Sequence, residues 1–561
     1  MRRAVRFPGW FAGGRLGYPK NLTALLVDDE GTTVAWGFDA RDQWAKALDE
    51  GRGDGLGYAY AFKTALTGGA AAGLPVVGGR LDLADRDRVT GLIAAYLEEV
   101  RGVVMAEIRA LGHTEHEVRW CVTVPAVWDD VDKSVMRRAA VAAGFPDDPE
   151  RLLLASEPEA VALSCYLRMT ESDTPDSARL PLDEPGVRFV VVDCGGGTVD
   201  ITAYETDRTL GRSVGLRETG VATTGRLGSE YVNQAFRDKA LADRFGAAVL
   251  RRIERDHAGD LLAMCAQWER HKTTAELAWD DDGTARVADA ALIDVPPGIW
   301  DLLDGTVCAR LTREAGGAPR RLRLAPEEVQ SLLDEVVGGI VEKVEEQLAG
   351  IRRTAAPGAR PEILVLAGGF ARSAWLRDRM RRRFGARHRV LVPPDPAIAV
   401  LEGATLIAHD PSVLISRQAK YTYGFGTSMP FEDSRDSVER MYRDDDGELL
   451  CVGRFLVAVR RMDPVRVDDA FPFQVCPVRR DQRRMEVRLY RTARPDPRYV
   501  DEEGSEEIGR MTVDMRDTVG RPLRERPLVL LFYFGACDLR VEAFDPGTGG
   551  TTRVTVDFAR L

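Results

Sequence analysis

Two aspartates flank a run of glycines at Asp193-Cys194-Gly195-Gly196-Gly197-Thr198-Val199-Asp200. Residues without side chains let backbone N–H groups approach an anion closely. Thr198 adds a hydroxyl, and a carboxylate at either end, Asp193 or Asp200, can hold a hydrated metal ion against phosphates. The apolar residues before and after the turn read as one buried strand running out and a second returning. A plain hairpin with a glycine-rich turn has the same local signature, so the rest of the chain has to decide between them.

Further candidates are scattered along the sequence. Lys63 lies in the aromatic and apolar stretch Tyr60-Ala61-Phe62-Lys63-Thr64-Ala65-Leu66. It is either a snorkelling surface lysine or a cation that reaches a phosphate. Glu157 follows a short strand over 152–155, at the C-terminal strand end where α/β folds place ligands. First-turn helix chemistry is its plainer reading. Gly228 sits in a loop over 225–230 that starts a helix, and helix N-termini favour phosphates. Glu269 and Lys272 stand one turn apart on a helix expected over 261–277, the spacing of a surface ion pair. Gly368, Gly369 and Arg372 belong to a strand, glycine turn and helix start over 362–372, and Asp395 opens a helix over 395–404. Gly31-Thr32-Thr33 also invites a phosphate-loop reading, but Asp28-Asp29-Glu30-Gly31 is ordinary hairpin chemistry.

These residues need a frame, and the composition bounds it. The chain has 561 residues, too long for one core. An apolar content of 44% and a charged content of 29% describe an ordinary soluble protein. A net charge of −11 argues against nucleic acid as a general partner. The arginines over 377–389 alternate with Leu376, Met380 and Phe384 at helical spacing, as on a solvated helix face. The 8 cysteines are dispersed without a C-x-x-C pair, which fits free thiols in a reducing cytoplasm better than disulfides or zinc. His113 and His116 lack a third ligand nearby. No signal-peptide core and no run of membrane-spanning length is evident, so a cytoplasmic protein without a membrane partner is expected.

Helices are expected over 85–111, 129–143 and 326–351, from apolar residues recurring at three- and four-residue spacing. Strands are expected over 22–27, 33–38 and 118–124, and a polar surface loop over 170–185. Beyond Asp410-Pro411 helical periodicity fades. Short alternating runs separated by turn signals take over, the pattern of an antiparallel β-domain.

Taken in order, the chain reads strand, Val-Pro, helix; strand, Glu-Pro, helix; strand, Gly-Gly-Gly-Thr, strand; Gly-Ser-Glu helix; Glu-x-x-Lys helix; strand, Gly-Gly, helix. This order resembles the heat shock 70 (DnaK-like) chaperone family of the actin-like ATPase superfamily, nearest to its divergent animal branch without a helical lid. Val122-Thr123-Val124-Pro125-Ala126, the stretch from Asp193 to Asp200, and Gly368 to Arg372 carry the likeness. The resemblance implies an α/β fold: an actin-like ATPase (ribonuclease H-like) two-lobed domain over 1–408, a linker over 409–420, and an antiparallel β-sandwich over 421–561.

It also implies roles. ATP or ADP with Mg2+ would bind the first domain, Asp193 holding the metal through water with Gly195, Gly196, Gly197, Thr198 and Asp200 around the phosphates. Lys63, Glu157, Asp193 and Thr198 would form the catalytic set. Gly228, Glu269, Lys272, Gly368, Gly369, Arg372 and Asp395 would complete the nucleotide cradle. Polypeptide clients or a protein partner would bind the β-domain, with a co-chaperone or exchange factor as a further partner. By this resemblance the sequence starts after the family's opening Asp-x-Gly-Thr-Thr loop, and Gly31-Thr32-Thr33 falls in the wrong place to substitute for it. Either the start is set too late or the element is lost, and as written weak nucleotide binding and poor hydrolysis are expected. Phe370 replaces a small hydroxyl residue, which alters the nucleoside pocket. The linker lacks a long aliphatic acidic run, which puts interdomain control in doubt. A non-catalytic nucleotide-sensing scaffold and a small-molecule kinase of the same superfamily remain alternatives.

Overall fold

The computed structural model describes residues 20–67, 76–78, 83, 85–170, 185–207, 215–220, 222–354, 363–411, 414–466, 469–534, 539–546, 549 and 551–555. The loop expected over 170–185 falls almost wholly outside them, as do parts of the N-terminal region.

The architecture is mixed α/β. Near the N-terminus an antiparallel sheet runs in the order Thr33–Trp36, Ala24–Asp28, Leu56–Tyr60, Val76–Gly78. The strand expected over 33–38 stops at Trp36, because Gly37 turns the chain at φ +65 into a helix, Gly37–Asp49, that the sequence pattern does not announce. Asn21 explains the stop. Its side-chain oxygen accepts the Phe38 N–H at 2.9 Å, and a Cβ on Gly37 would lie 2.2 Å from the same side chain.

Trp120–Val124 pairs in parallel with Leu152–Ser156, Val124 opposite Ser156. Each strand leads into a helix, Asp130–Ala142 and Glu157–Thr170. Asp129 caps the first by accepting the Asp132 N–H at 3.0 Å. The helix expected over 85–111 is observed as Arg86–Ala110.

The central sheet has the order Arg389–Leu391, Ile363–Ala367, Arg188–Cys194, Val199–Asp207, Gly215–Glu218, Leu414–Gln418, Pro464–Arg466, with Thr223–Gly225 paired to Val199–Asp207. Both faces of its middle strands are covered. Val190, Val192 and Cys194 join one core cluster, and Phe189 and Val191 another on the opposite face. That burial explains an unbroken apolar run where a half-exposed strand would alternate. The long helix Pro326–Thr354 packs its apolar stripe, including Leu333, Val337 and Ile340, into the first of these clusters.

Beyond residue 420 there are two further antiparallel sheets. One orders Met441–Arg443, Leu449–Val459, Thr422–Pro430, Arg484–Thr492, Ser505–Asp514; the other orders Ala470–Val475, Leu528–Tyr533, Arg540–Phe544, Thr551–Thr555. Their inward residues, among them Phe425, Leu489, Leu530 and Phe532, form one shared core cluster. The segment over 409–420, a connector by sequence, contains the strand Leu414–Gln418. It pairs with Gly215–Glu218 on one side and Pro464–Arg466 on the other, so it belongs to the central sheet.

Among the described residues, seven cysteines are free and no group of three acidic, histidine or cysteine residues is arranged to hold a metal. No described helix is long and apolar enough to cross a membrane.

Candidate functional site

Two parallel strands bring distant glycine turns together. Ile363–Ala367 runs beside Arg188–Cys194 with Ala367 opposite Asp193, so both chains leave the sheet at the same end. Gly368 then turns at φ +82, and a Cβ there would lie 2.3 Å from the Cys194 carbonyl oxygen and 2.5 Å from a carboxylate oxygen of Asp193. Only glycine fits such an approach. A third glycine closes the arrangement, since a Cβ on Gly228 would lie 2.0 Å from the Gly196 carbonyl oxygen. The N–H groups of Ser229 and Glu230 donate to the carbonyls of Gly195 and Gly196 at 3.1 and 2.9 Å, and the Gly195 N–H donates to the Thr198 carbonyl at 2.9 Å. Residues 195–198 are thus braced by the start of the helix Ser229–Ala235.

These turns face a cavity of about 2300 Å³. Lys63, Glu157, Asp193, Gly195, Gly196, Gly197, Thr198, Glu269, Lys272, Gly368, Gly369 and Arg372 all line it. Asp200, Gly228 and Asp395 do not. Asp200 lies behind the turn, where it accepts the Thr198 hydroxyl at 3.2 Å. Gly228 lies beneath it. Asp395 precedes Ala397 and Ile398, which do reach the cavity, and contributes its carbonyl to the Ile398 N–H at 3.3 Å. Phe370 lines the cavity but is also buried in the adjacent core, at 4% exposure.

Lys63 donates to Glu157 at 2.7 Å and stands over the Trp128 ring, 5.3 Å from its centre. Glu157 emerges beside Pro125 because their two strands are parallel and in register. The surface-pair reading of Glu269 and Lys272 is corrected by burial. Lys272 is only 2% exposed, bonded to Glu269 at 2.6 Å and donating to the Ser229 carbonyl at 3.0 Å. Asn233 and Tyr60 complete this network, and neither stands out in the sequence: Asn233 donates to Glu269 at 2.8 Å and to Glu230 at 3.0 Å, and the Tyr60 hydroxyl donates to Glu230 at 3.0 Å. The Gly-Ser-Glu helix start is the one local signal that points to Glu230.

The lysines of the cleft offset the two aspartates of the glycine turn only in part. Burial, and then the charges of Glu157 and Asp200, push the Asp193 carboxyl up to about 7, against a weaker opposing pull from Lys20 and Lys63. Burial and the Glu157 charge push Asp200 up to about 7 as well. One Asp200 carboxylate oxygen is buried without a hydrogen-bond partner among the described residues. Acids held in this condition favour either a proton or a cation. Asp193, which lines the cavity, is therefore the acid that would hold a cation there, and the backbone of the glycine turn is the place that would receive an anion.

The chain is 28% identical over 611 aligned residues to the human protein named Heat shock 70 kDa protein 12B, covering 96% of this chain and 85% of that protein. It is 24% identical over 600 aligned residues to Heat shock 70 kDa protein 12A from human and from mouse, with the same coverage of 96% and 85%. The chain is thus similar, at 24–28% identity over 96% of its length, to proteins named as heat shock 70 kDa proteins. No protein-family model matches it. An alignment over 96% of the chain takes in most of both the cleft and the two-sheet region that follows.

Proposed function

We propose that this chain is an actin-like, two-lobed nucleotide-binding protein that takes ATP or ADP with Mg2+ in the cleft described above. The proposal extends to a β-sandwich over 421–561 that binds extended polypeptide. The observation that carries the nucleotide reading is the meeting of Gly368 with Asp193 and Cys194, in a cavity that also contains Lys63, Glu157 and Glu269.

Asp193 would hold Mg2+ through water. The metal, when bound, supplies charge neutralisation along the phosphates. The turn Gly195–Gly197 offers its backbone to the phosphates and Thr198 its hydroxyl. Lys63, steadied by Glu157 and Trp128, places a positive charge at the same end of the cleft. Glu269, Lys272, Gly368, Gly369 and Arg372 enclose the nucleoside end. Glu157 would orient an attacking water if hydrolysis takes place, since phosphoryl transfer depends mainly on positioning and charge.

Coupling between the regions is supported by the strand Leu414–Gln418, which continues one sheet into both. Side chains reinforce it. Arg491 reaches Asp129 at 3.0 Å, the Tyr423 hydroxyl donates to Asp130 at 2.8 Å, and Arg417 donates to Glu159 at 2.9 Å. Free thiols support a cytoplasmic setting. A co-chaperone or exchange factor would act by opening the cleft.

Calorimetry with Mg·ATP on wild type and Asp193→Ala tests the site. A binding heat in wild type that disappears in the variant is the expected result. Equal heats in both would remove the assignment. Phosphate release then separates hydrolysis from sensing, and a labelled extended peptide whose binding shifts with nucleotide separates a chaperone from a scaffold.

A further inference from the structure

Glu230 joins parts of the cleft that are far apart in sequence. Its backbone N–H sits on the glycine turn, donating to Gly196 at 2.9 Å. Its carboxylate accepts the Tyr60 hydroxyl at 3.0 Å across 170 residues, from the strand whose chain continues to Lys63. The same carboxylate oxygen accepts the Asn233 amide at 3.0 Å, and Asn233 spends its other bond on Glu269 at 2.8 Å. Tyr60, Glu230, Asn233 and Glu269 all line the cavity.

An apolar contact would join the two sides of the cleft with less desolvation cost, because a buried polar network stabilises only when every member is satisfied. A network that links ligand-facing groups has a different consequence. It makes the position of one group depend on the others. The Asn233 amide can bridge Glu230 and Glu269 because both are acceptors, and the Tyr60 hydroxyl reaches Glu230 from a strand 170 residues earlier. Moving Glu230 therefore disturbs the Gly196 turn, Glu269 and the Tyr60–Lys63 segment together.

We propose that Glu230 is a positioning residue that makes the glycine turn, Glu269 and the Lys63 segment respond as one unit. The inference rests on the nucleotide reading of the cleft. ADP engaging Glu269 then binds more tightly when Tyr60 and Asn233 already hold Glu230, and by reciprocity the bound ADP tightens the Tyr60 contact.

The test is a double-mutant cycle on the full chain, with Mg·ADP as the probe. Tyr60→Phe and Asn233→Ala are each expected to weaken ADP binding about fivefold, the effect of one hydrogen bond. The double variant is expected to be no more than about twofold weaker than the weaker single, because the two act through one carboxylate. Glu230→Gln, which keeps an acceptor oxygen, is expected to stay within about threefold of wild type, whereas Glu230→Ala falls to the double-variant level. Additive losses, or Glu230→Gln as damaging as Glu230→Ala, overturn the proposal.

Hydrogen exchange on the ligand-free chain probes the network independently of nucleotide. Tyr60→Phe is expected to raise exchange in Ser229–Ala235 as well as in Leu56–Tyr60. Exchange raised only in Leu56–Tyr60 overturns the coupling. A wild type that gives no heat with ADP counts against the nucleotide reading, and the exchange pattern alone then decides whether Glu230 couples the two segments.

Discussion

Asp193 and Asp436 are both buried aspartates, 5% and 8% exposed, yet their surroundings are opposite. At Asp436, burial would push the carboxyl up, but donors outweigh it and hold it well below the usual range. The Glu432 N–H donates at 2.9 Å, the Tyr499 hydroxyl at 2.8 Å and Arg498 at 2.6 Å, with Arg454 at 3.3 Å. Among the described residues Asp193 has no such shell of donors. Burial and two further carboxylates push it up, Lys20 and Lys63 oppose them only in part, and Gly368 crowds it with backbone. One region satisfies its acid internally and so locks a loop to a strand. The other leaves an electrostatic demand that an external cation and anion can meet. An unmet charge in a cleft marks a binding site more sharply than the residue type does.

The comparison breaks most severely at Asp436. Asp436→Ala leaves Arg498 and Arg454 without their partner and is expected to destabilise the region beyond residue 420 by about 3–5 kcal/mol. Denaturant unfolding followed on that region checks it, and a loss below about 1 kcal/mol would show that the cluster is only a surface network.

Gly368→Ala comes next. The φ of +82 and the 2.3 Å approach to Cys194 predict a loss of about 2–4 kcal/mol, and with it misplacement of Asp193. Thermal melting with and without Mg·ATP would reveal both effects. A variant that melts and binds as wild type does would place the two turns farther apart than described.

The smallest effect sharpens the contrast through pH. Asp193 titrates at about 7 when folded and 3.8 when unfolded, so the folded state holds the extra proton between those values. The sign follows from linkage: the contribution of Asp193 to the stability of the ligand-free protein is lost as pH rises from about 4 to about 7, the reverse of the trend at Asp436. Asp193→Asn is expected to flatten that slope. Because a cation competes with the proton, the Mg2+ contribution to ATP binding should strengthen as pH rises through about 7. A stability profile identical in wild type and Asp193→Asn would refute the raised pKa.

Much of the frame was legible because it is local. The apolar run before Asp193 and the glycines after it specify strand and turn by themselves. The periodicity of 326–351 specifies its helix, and Pro125 and Gly144 mark element ends. The site was partly legible for the same reason: Lys63, Glu157 and Gly368 lie at strand ends. What failed to show were features that depend on a distant partner. Glu269 and Lys272 have surface-pair spacing, and only the packing around Ser229 buries the lysine. The residues over 414–418 read as connector because their pairing strands lie two hundred residues before them and beyond residue 460. The helix Gly37–Asp49 depends on Asn21 terminating the preceding strand.

By itself, then, the sequence determined where the chain turns, which residues carry charge beside those turns, and the order of elements that resembles heat shock 70 proteins. Tertiary structure alone decided that Ala367 stands opposite Asp193, that Glu230 touches Tyr60, and that Asp395 stays outside the cavity. The physical reason is range. Backbone propensity and steric freedom act over a few residues, whereas burial, register and unmatched charge exist only after distant segments have packed together.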